Sequence, residues 1–120
     1  MAANKIINGV GNNKFAPKNT TTAEEAVGYA NATREQALAI AVRMVWECAQ
    51  AVSIPLCGIG GVCSGEDAAE MILAGATAVS VGTANLYDPT CVPRILAELG
   101  QWAAEQGVSD ISELRGAFEC

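Results

Sequence analysis

Two short apolar runs that each end in glycine constrain this 120-residue chain more than any other feature. The first run covers residues 54–59 and the second covers residues 77–81. Directly after them come a Gly-Gly pair and a Gly-Thr pair, which are Gly60, Gly61, Gly82 and Thr83. A helix-length segment separates the runs, so we expect two parallel strands joined by a right-handed crossover. Helices flank both runs, and we therefore expect each strand to be buried on both faces.

Helical patterns surround the two runs. Apolar residues recur at helical spacing over residues 34–52, after Thr33 and Gln36, which stand at the spacing of a capping box. Ser64 and Asp67 have the spacing that opens a second helix. The resulting order of helix, strand, helix, strand and helix predicts an α/β fold.

The end of the chain is predicted to be helical. A turn is expected over residues 82–86, followed by a helix that starts at Asp88 with Pro89 in its first position. A last short helix is expected to begin at Ser109 or Asp110. The buried stripe of the longer helix is expected to contain Val92, Ile95, Leu96, Leu99, Trp102 and Ala103.

Charge and composition exclude several classes of partner. The net charge is −6 and the chain has seven lysines and arginines in total. This charge does not favour binding to the phosphate backbone of a nucleic acid. No run approaches the roughly 18 apolar residues of a membrane span, and no secretory signal is evident. The five cysteines form no Cys-x-x-Cys motif and there is no histidine, so no metal site is expected. Reduced thiols predict a cytoplasmic protein.

The glycine pairs predict a site for a phosphate group. Loops that follow neighbouring parallel strands meet at one edge of a sheet, and a residue without a Cβ lets an anion approach the main-chain N–H groups. The predicted site consists of Gly60, Gly61, Gly82 and Thr83. An alternative is that these glycines serve only tight turns and close helix packing. The sequence disfavours a dinucleotide site, because Cys63 stands where that fingerprint requires its third glycine.

Three motifs carry a resemblance to a known family: AVRMVWECAQAVSIPLCGIGGV at residues 41–62, AGATAVSVGTAN at residues 74–85, and the Asp88-Pro89 pair. With them, residues 38–120 resemble the C-terminal part of dihydroorotate dehydrogenase. The class most similar is the one whose catalytic subunit pairs with an iron–sulfur flavoprotein. The resemblance implies that residues 37–120 are the last two β/α units, about a quarter, of a flavin-binding TIM (β/α)8 barrel.

The resemblance also implies a cofactor and an activity. The family is an FMN-dependent oxidoreductase of pyrimidine synthesis, and its two glycine-bearing loops hold the FMN phosphate, which assigns this role to Gly60, Gly61, Gly82 and Thr83. The family's catalytic base lies on earlier strands, so no catalytic residue is assigned here and the chain alone is expected to be inactive. The open edges of a partial barrel predict self-association, and the iron–sulfur flavoprotein is an implied partner.

Residues 1–36 have a different composition, rich in asparagine, glycine and threonine, which is typical of loops. Residues 5–40 resemble an S-layer homology motif, a module that binds cell-wall polysaccharide. We hypothesise that the chain comes from a truncated reading frame, or from a chimeric one in which two coding sequences are joined. Two alternative functions follow: a cell-wall-binding module, and a phosphate-binding barrel unit from an enzyme that handles sugar phosphates or nucleotides.

Overall fold

A computed structural model of the chain describes residues 33–118. Its elements are helix α1 (Arg34–Ala51), strand β1 (Cys57–Ile59), helix α2 (Gly65–Leu73), strand β2 (Ala78–Ser80), helix α3 (Thr83–Tyr87), helix α4 (Cys91–Glu105) and a 3₁₀ helix (Ile111–Leu114). The predicted alternation of helices and strands is confirmed. Most of the segment that resembles an S-layer motif lies outside the described residues.

The two strands form a parallel sheet. In its register Cys57 lies opposite Ala78, Gly58 opposite Val79, and Ile59 opposite Ser80. Helix α2 lies between the strands in the chain, as the crossover of a parallel pair requires. The predicted parallel pairing is therefore confirmed, and the carboxyl ends of both strands lie at the same edge of the sheet.

The core lies between the sheet and helices α1, α2 and α4. Met71 of α2 is fully buried, and a Cβ on Gly58 of β1 would stand 2.9 Å from its sulfur. Glycine at this position therefore lets α2 pack directly on the sheet. The buried hydrophobic residues of the cluster are Leu38, Ala41, Val45, Val62, Ala68, Met71, Ala74, Ala76, Cys91 and Ile95.

Helix α2 begins where Ser64 and Asp67 predict it, and these two residues form a capping box. The hydroxyl of Ser64 accepts a hydrogen bond from the N–H of Asp67 at 3.1 Å, and the Asp67 carboxylate accepts one from the N–H of Ser64 at 3.0 Å. After the helix, Gly75 has a φ of 121° and a Cβ there would stand 2.5 Å from the Cβ of Ala49 in α1. The end of α2 thus also depends on a glycine for both backbone conformation and close packing.

The expectation that both strands are buried on both faces is wrong. Gly58 is buried, whereas Cys57 and Ile59, which alternate with it onto the other face, are exposed, Ile59 to 58%. The interior face of a barrel strand is covered by the strands opposite it, and the described residues contain two strands. An apolar groove runs beside β1; it is lined by Ala41, Met44, Val45, Cys48, Leu56, Cys57 and Ile59.

The turn expected over residues 82–86 is instead the short helix α3. The N–H of Asn85 donates to the carbonyl of Gly82 at 3.0 Å, and the N–H of Asp88 donates to the carbonyl of Ala84 at 2.9 Å. These bonds continue the turn at Gly82 into a helical turn that ends at Tyr87.

The longer helix was expected to have Pro89 as its first helical residue, but it begins two residues later, at Cys91. The Asp88 carboxylate accepts hydrogen bonds from the N–H and the hydroxyl of Thr90 at 2.9 and 2.6 Å. This side-chain turn holds Pro89 outside the helix, and α4 starts at Cys91. The last short helix is present as a 3₁₀ helix whose capping residue is Asp110, as expected.

Part of the predicted stripe of α4 is exposed. Cys91 and Ile95 are buried and Leu99 packs against the core, whereas Val92 and Leu96 are 39% and 62% exposed. One residue along a helix turns the side chain by about 100°, which carries these two residues away from α2. None of the described helices is long and apolar enough to cross a membrane.

Substituting the buried methionine tests this core. Met71→Ala is expected to lower the free energy of unfolding by about 2–5 kcal/mol, because the packed core cannot collapse fully around the missing atoms. The matched control is Met44→Ala, which removes the same side chain from the wall of the open groove. Urea denaturation followed by circular dichroism measures both, and equal losses would contradict the described core.

Candidate functional site

The two glycine-bearing bends lie next to each other at one edge of the sheet. Here the first bend means Gly60 and Gly61, and the second bend means Gly82 and Thr83. Each bend begins within two residues of the last paired positions, where Ile59 lies opposite Ser80. Paired strands run about 4.8 Å apart. The structure thus brings the four predicted site residues together, while their binding of a phosphate stays a prediction.

The first bend needs glycine for its own shape and for packing. Gly60 and Gly61 have φ values of 130° and 72°, in the region that side chains disfavour. A Cβ on Gly60 would stand 2.8 Å from the Cβ of Ala41, and one on Gly61 would stand 2.7 Å from the nitrogen of Leu38. The alternative interpretation, turn formation and close contact with α1, therefore accounts for both glycines of this bend.

Close packing does not explain the glycine of the second bend. Gly82 has a φ of −98° and a ψ of −94°, outside the helical and extended regions, and nothing lies within 4 Å of the place its Cβ would take. Gly82 and Thr83 are both exposed. Packing within the described residues thus gives no reason for a glycine here, and its backbone is open to an approaching group.

Both bends present backbone donors without acceptors. The N–H groups of Gly61 and Val62, and those of Gly82 and Thr83, donate no hydrogen bond to an acceptor within residues 33–118. Backbone N–H groups are obligatory donors that usually find a partner. Convergent N–H groups in a turn are a known way to bind an anion. The arrangement suits an anionic group lying between the two bends.

Helix α1 adds positive potential at the same edge. Its first residue, Arg34, lies beside the first bend, since a Cβ on Gly61 would stand 2.8 Å from the Arg34 carbonyl oxygen. The N-terminus of an α-helix carries a partial positive charge that favours anions. This partial charge lies at one edge of the sheet in a chain whose net charge is −6.

An ion pair between the exposed Arg34 and the buried Asp67 holds the first bend on one side. The guanidinium of Arg34 lies 2.7 Å from the Asp67 carboxylate and donates to the carbonyl of Gly61 at 3.4 Å. The same carboxylate oxygen accepts from the N–H groups of Cys63 and Ser64 at 2.8 and 3.0 Å. The charge of Asp67 is the main cause that raises the pKa of Arg34.

A second ion pair holds the other end of the same loop. Arg94 of α4 donates to the carbonyl of Cys63 at 3.2 Å and lies 2.7 Å from the Glu98 carboxylate. Glu98 in turn accepts from the N–H of Gly65 at 2.9 Å. The sequence offered a signal only for the pairing of Arg94 with Glu98, four residues apart on one helix.

The described residues offer neither a metal site nor an activated nucleophile. No group of three or more possible ligands comes together within residues 33–118. The hydroxyl of Ser64 caps α2, and the carboxylate of Asp67 is engaged by three donors. Both side chains are therefore engaged in holding the loop and the start of α2.

The acid stability of the protein tests the second ion pair. The pKa of Glu98 is lowered, first by the hydrogen bond from the N–H of Gly65 and then by Arg94. A carboxylate with a lowered folded pKa stabilises the fold above its unfolded pKa, about 4.3, and this stabilisation is lost as the pH falls through the folded value.

We therefore expect Glu98→Gln to reduce the fall of the thermal midpoint between about pH 5 and pH 3. The control is Glu105→Gln, which removes the same charge from the same helix without touching the loop. An equal reduction in both variants would show that the pairing with Gly65 and Arg94 contributes nothing.

Comparison with known proteins gives consistent relatives. The family model described as dihydroorotate dehydrogenase matches residues 5–102. The catalytic subunits of dihydroorotate dehydrogenase B (NAD(+)) from Geobacter metallireducens and Geobacter sulfurreducens are each 55% identical over 80 residues. The one from Trichlorobacter lovleyi is 54% identical over 80 residues. These matches cover 67% of this chain and 26% of each relative, so the chain spans about a quarter of their length.

Solved structures agree on the fold. The ligand-free dihydroorotate dehydrogenase of Eimeria tenella has a TM-score of 0.65 and 26% identity, over 68% of this chain and 23% of that one. The same enzyme in complex with ferulenol has a TM-score of 0.64 and 25% identity, over 68% and 22%. The resemblance to an S-layer motif finds no support, and the family match includes residues 5–32. The chain belongs to the dihydroorotate dehydrogenase family, and its described residues form a two-strand part of that family's TIM barrel.

Proposed function

We propose that the first and second bends together hold the phosphate of FMN. The observation that carries this proposal is the pair of neighbouring bends with free N–H donors, one of which contains a glycine that packing does not require. A phosphate monoester presents several oxygens to donors from two directions, which suits N–H groups arriving from adjacent strands. The family to which the chain belongs supplies the identity of the cofactor.

Each part of the site has a separate task in this proposal. The N–H groups of Gly61 and Val62 bind phosphate oxygens from one side, and those of Gly82 and Thr83 bind from the other. The Thr83 hydroxyl adds a side-chain donor. The partial charge of α1 stabilises the anion without a lysine or arginine bound directly to it. When bound, FMN supplies the acceptor of the hydride that dihydroorotate loses on becoming orotate.

The chain's part in the whole reaction is cofactor binding. Proton removal from dihydroorotate needs a base beside the substrate, and the described residues near the bends offer no free one. In the proposed enzyme that group belongs to other strands of the barrel. The printed name of the relatives, a catalytic subunit of an NAD(+) enzyme, supports pairing with a second subunit, for which we propose the iron–sulfur flavoprotein.

Titration with FMN tests the proposal. The 120-residue chain is expected to quench FMN fluorescence saturably, and Gly82→Asp is expected to weaken binding by about tenfold or more, because a carboxylate then faces the phosphate. The Cβ at this position meets no neighbour, so the fold should tolerate the change. The control is Gly100→Asp, a second open position, in helix α4.

Two outcomes would contradict the proposal. One is a wild-type chain that binds no FMN, and the other is a Gly82→Asp variant that binds as tightly as wild type. Displacement of FMN by glucose 6-phosphate at concentrations similar to those of FMN would instead favour a general phosphate-ester site, since the donors described are backbone groups that any such ester fits.

A further inference from the structure

The loop between β1 and α2, residues 60–64, is held by two arginine–carboxylate pairs from different helices. Arg34 and Asp67 form hydrogen bonds with the beginning and middle of the loop. Arg94 and Glu98 form hydrogen bonds at its end. We propose that these two pairs are the positioning residues of the phosphate site, a role that rests on the function proposed above. They act on the anion through the loop and are not its ligands.

The hydrogen bonds of the loop divide into two sets. Five polar main-chain groups in and directly after the loop bond to the ion pairs: the carbonyls of Gly61 and Cys63 and the N–H groups of Cys63, Ser64 and Gly65. The N–H groups of Gly61 and Val62 are left as donors within the described residues. The pairs thus fix the loop without engaging the N–H groups of Gly61 and Val62.

Fixing the loop beforehand is what gives such donors their value. A mobile glycine-containing loop loses conformational freedom when an anion binds, and that loss opposes binding. Charged hydrogen bonds to five main-chain groups remove this freedom in the absence of the anion. The site is then organised before the phosphate arrives.

The pair of Arg34 and Asp67 is expected to matter more than that of Arg94 and Glu98. The Asp67 residue is 7% exposed, and its carboxylate joins α1, the loop and α2 through one oxygen atom. Removing Arg34 takes the cationic partner from the buried Asp67 carboxylate and breaks the contact of α1 with the Gly61 carbonyl. Arg94 and Glu98 lie at the exposed end of the loop, where solvent screens their charges.

Variants of the full chain test the inference. Arg34→Gln is expected to raise the Kd for FMN about tenfold, Arg94→Gln a few-fold, and Arg34→Lys less than Arg34→Gln because the charge remains. The control is Arg43→Gln, which breaks a pair of the same length, 2.7 Å to Glu47, on the same helix away from the loop. FMN fluorescence quenching gives each Kd, and circular dichroism verifies folding.

Amide hydrogen exchange separates positioning from general stability. In Arg34→Gln the N–H groups of Cys63 and Ser64, which donate to the Asp67 carboxylate, are expected to exchange faster, while that of Met71 in the core is unchanged. A uniform rise of the exchange rates throughout the chain would mean that Arg34 only stabilises the fold, and would overturn the inference. Arg94→Gln provides the same test at the exposed end of the loop. Wild-type protein that binds FMN while Arg34→Gln binds equally well overturns the inference alone. Wild-type protein that binds no FMN removes the proposed function, and the inference with it.

Discussion

The parallel pairing of β1 with β2 is the constraint on which the rest of the structure depends. Parallel strands require a crossover, which puts α2 on one face of the sheet. The carboxyl ends of both strands then lie at the same edge. The register then sets the first bend beside the second. An antiparallel pairing of the same two segments would separate the bends by the length of the sheet, and no shared anion site would exist.

Small residues let the helices approach this sheet closely. Met71 packs against Gly58, Ala41 packs against Gly60, and Ala49 packs against Gly75. The first bend therefore has two reasons for its glycines, and packing alone would be sufficient to require them. The second bend distinguishes between the interpretations, because a Cβ on Gly82 would meet no neighbour among the described residues. The functional argument consequently depends more on Gly82 than on the Gly-Gly pair that is more conspicuous in the sequence.

The exposed apolar surfaces agree with a part of a larger barrel. Ile59 on the inner face of the sheet and Leu96 on α4 are more than half exposed, and an apolar groove runs along the free edge of β1. Large apolar surfaces of this kind are normally covered by protein. In the TIM barrels to which this chain is similar, neighbouring β/α units lie at these places. The same openness explains why strands expected to be fully buried are half exposed.

The sequence alone determined the order of the elements, the parallel pairing, the start of α2 at Ser64 and the family, because periodicity, capping and motif spacing are local properties that need no coordinates. It misjudged the burial of Val92 and the shape of the chain after Gly82, since these depend on neighbours and on a few competing hydrogen bonds. Only the tertiary structure decided that Arg34 meets Asp67. These two residues are 33 positions apart, and no local pattern relates them; they meet because α1 and α2 pack on adjacent sides of one loop.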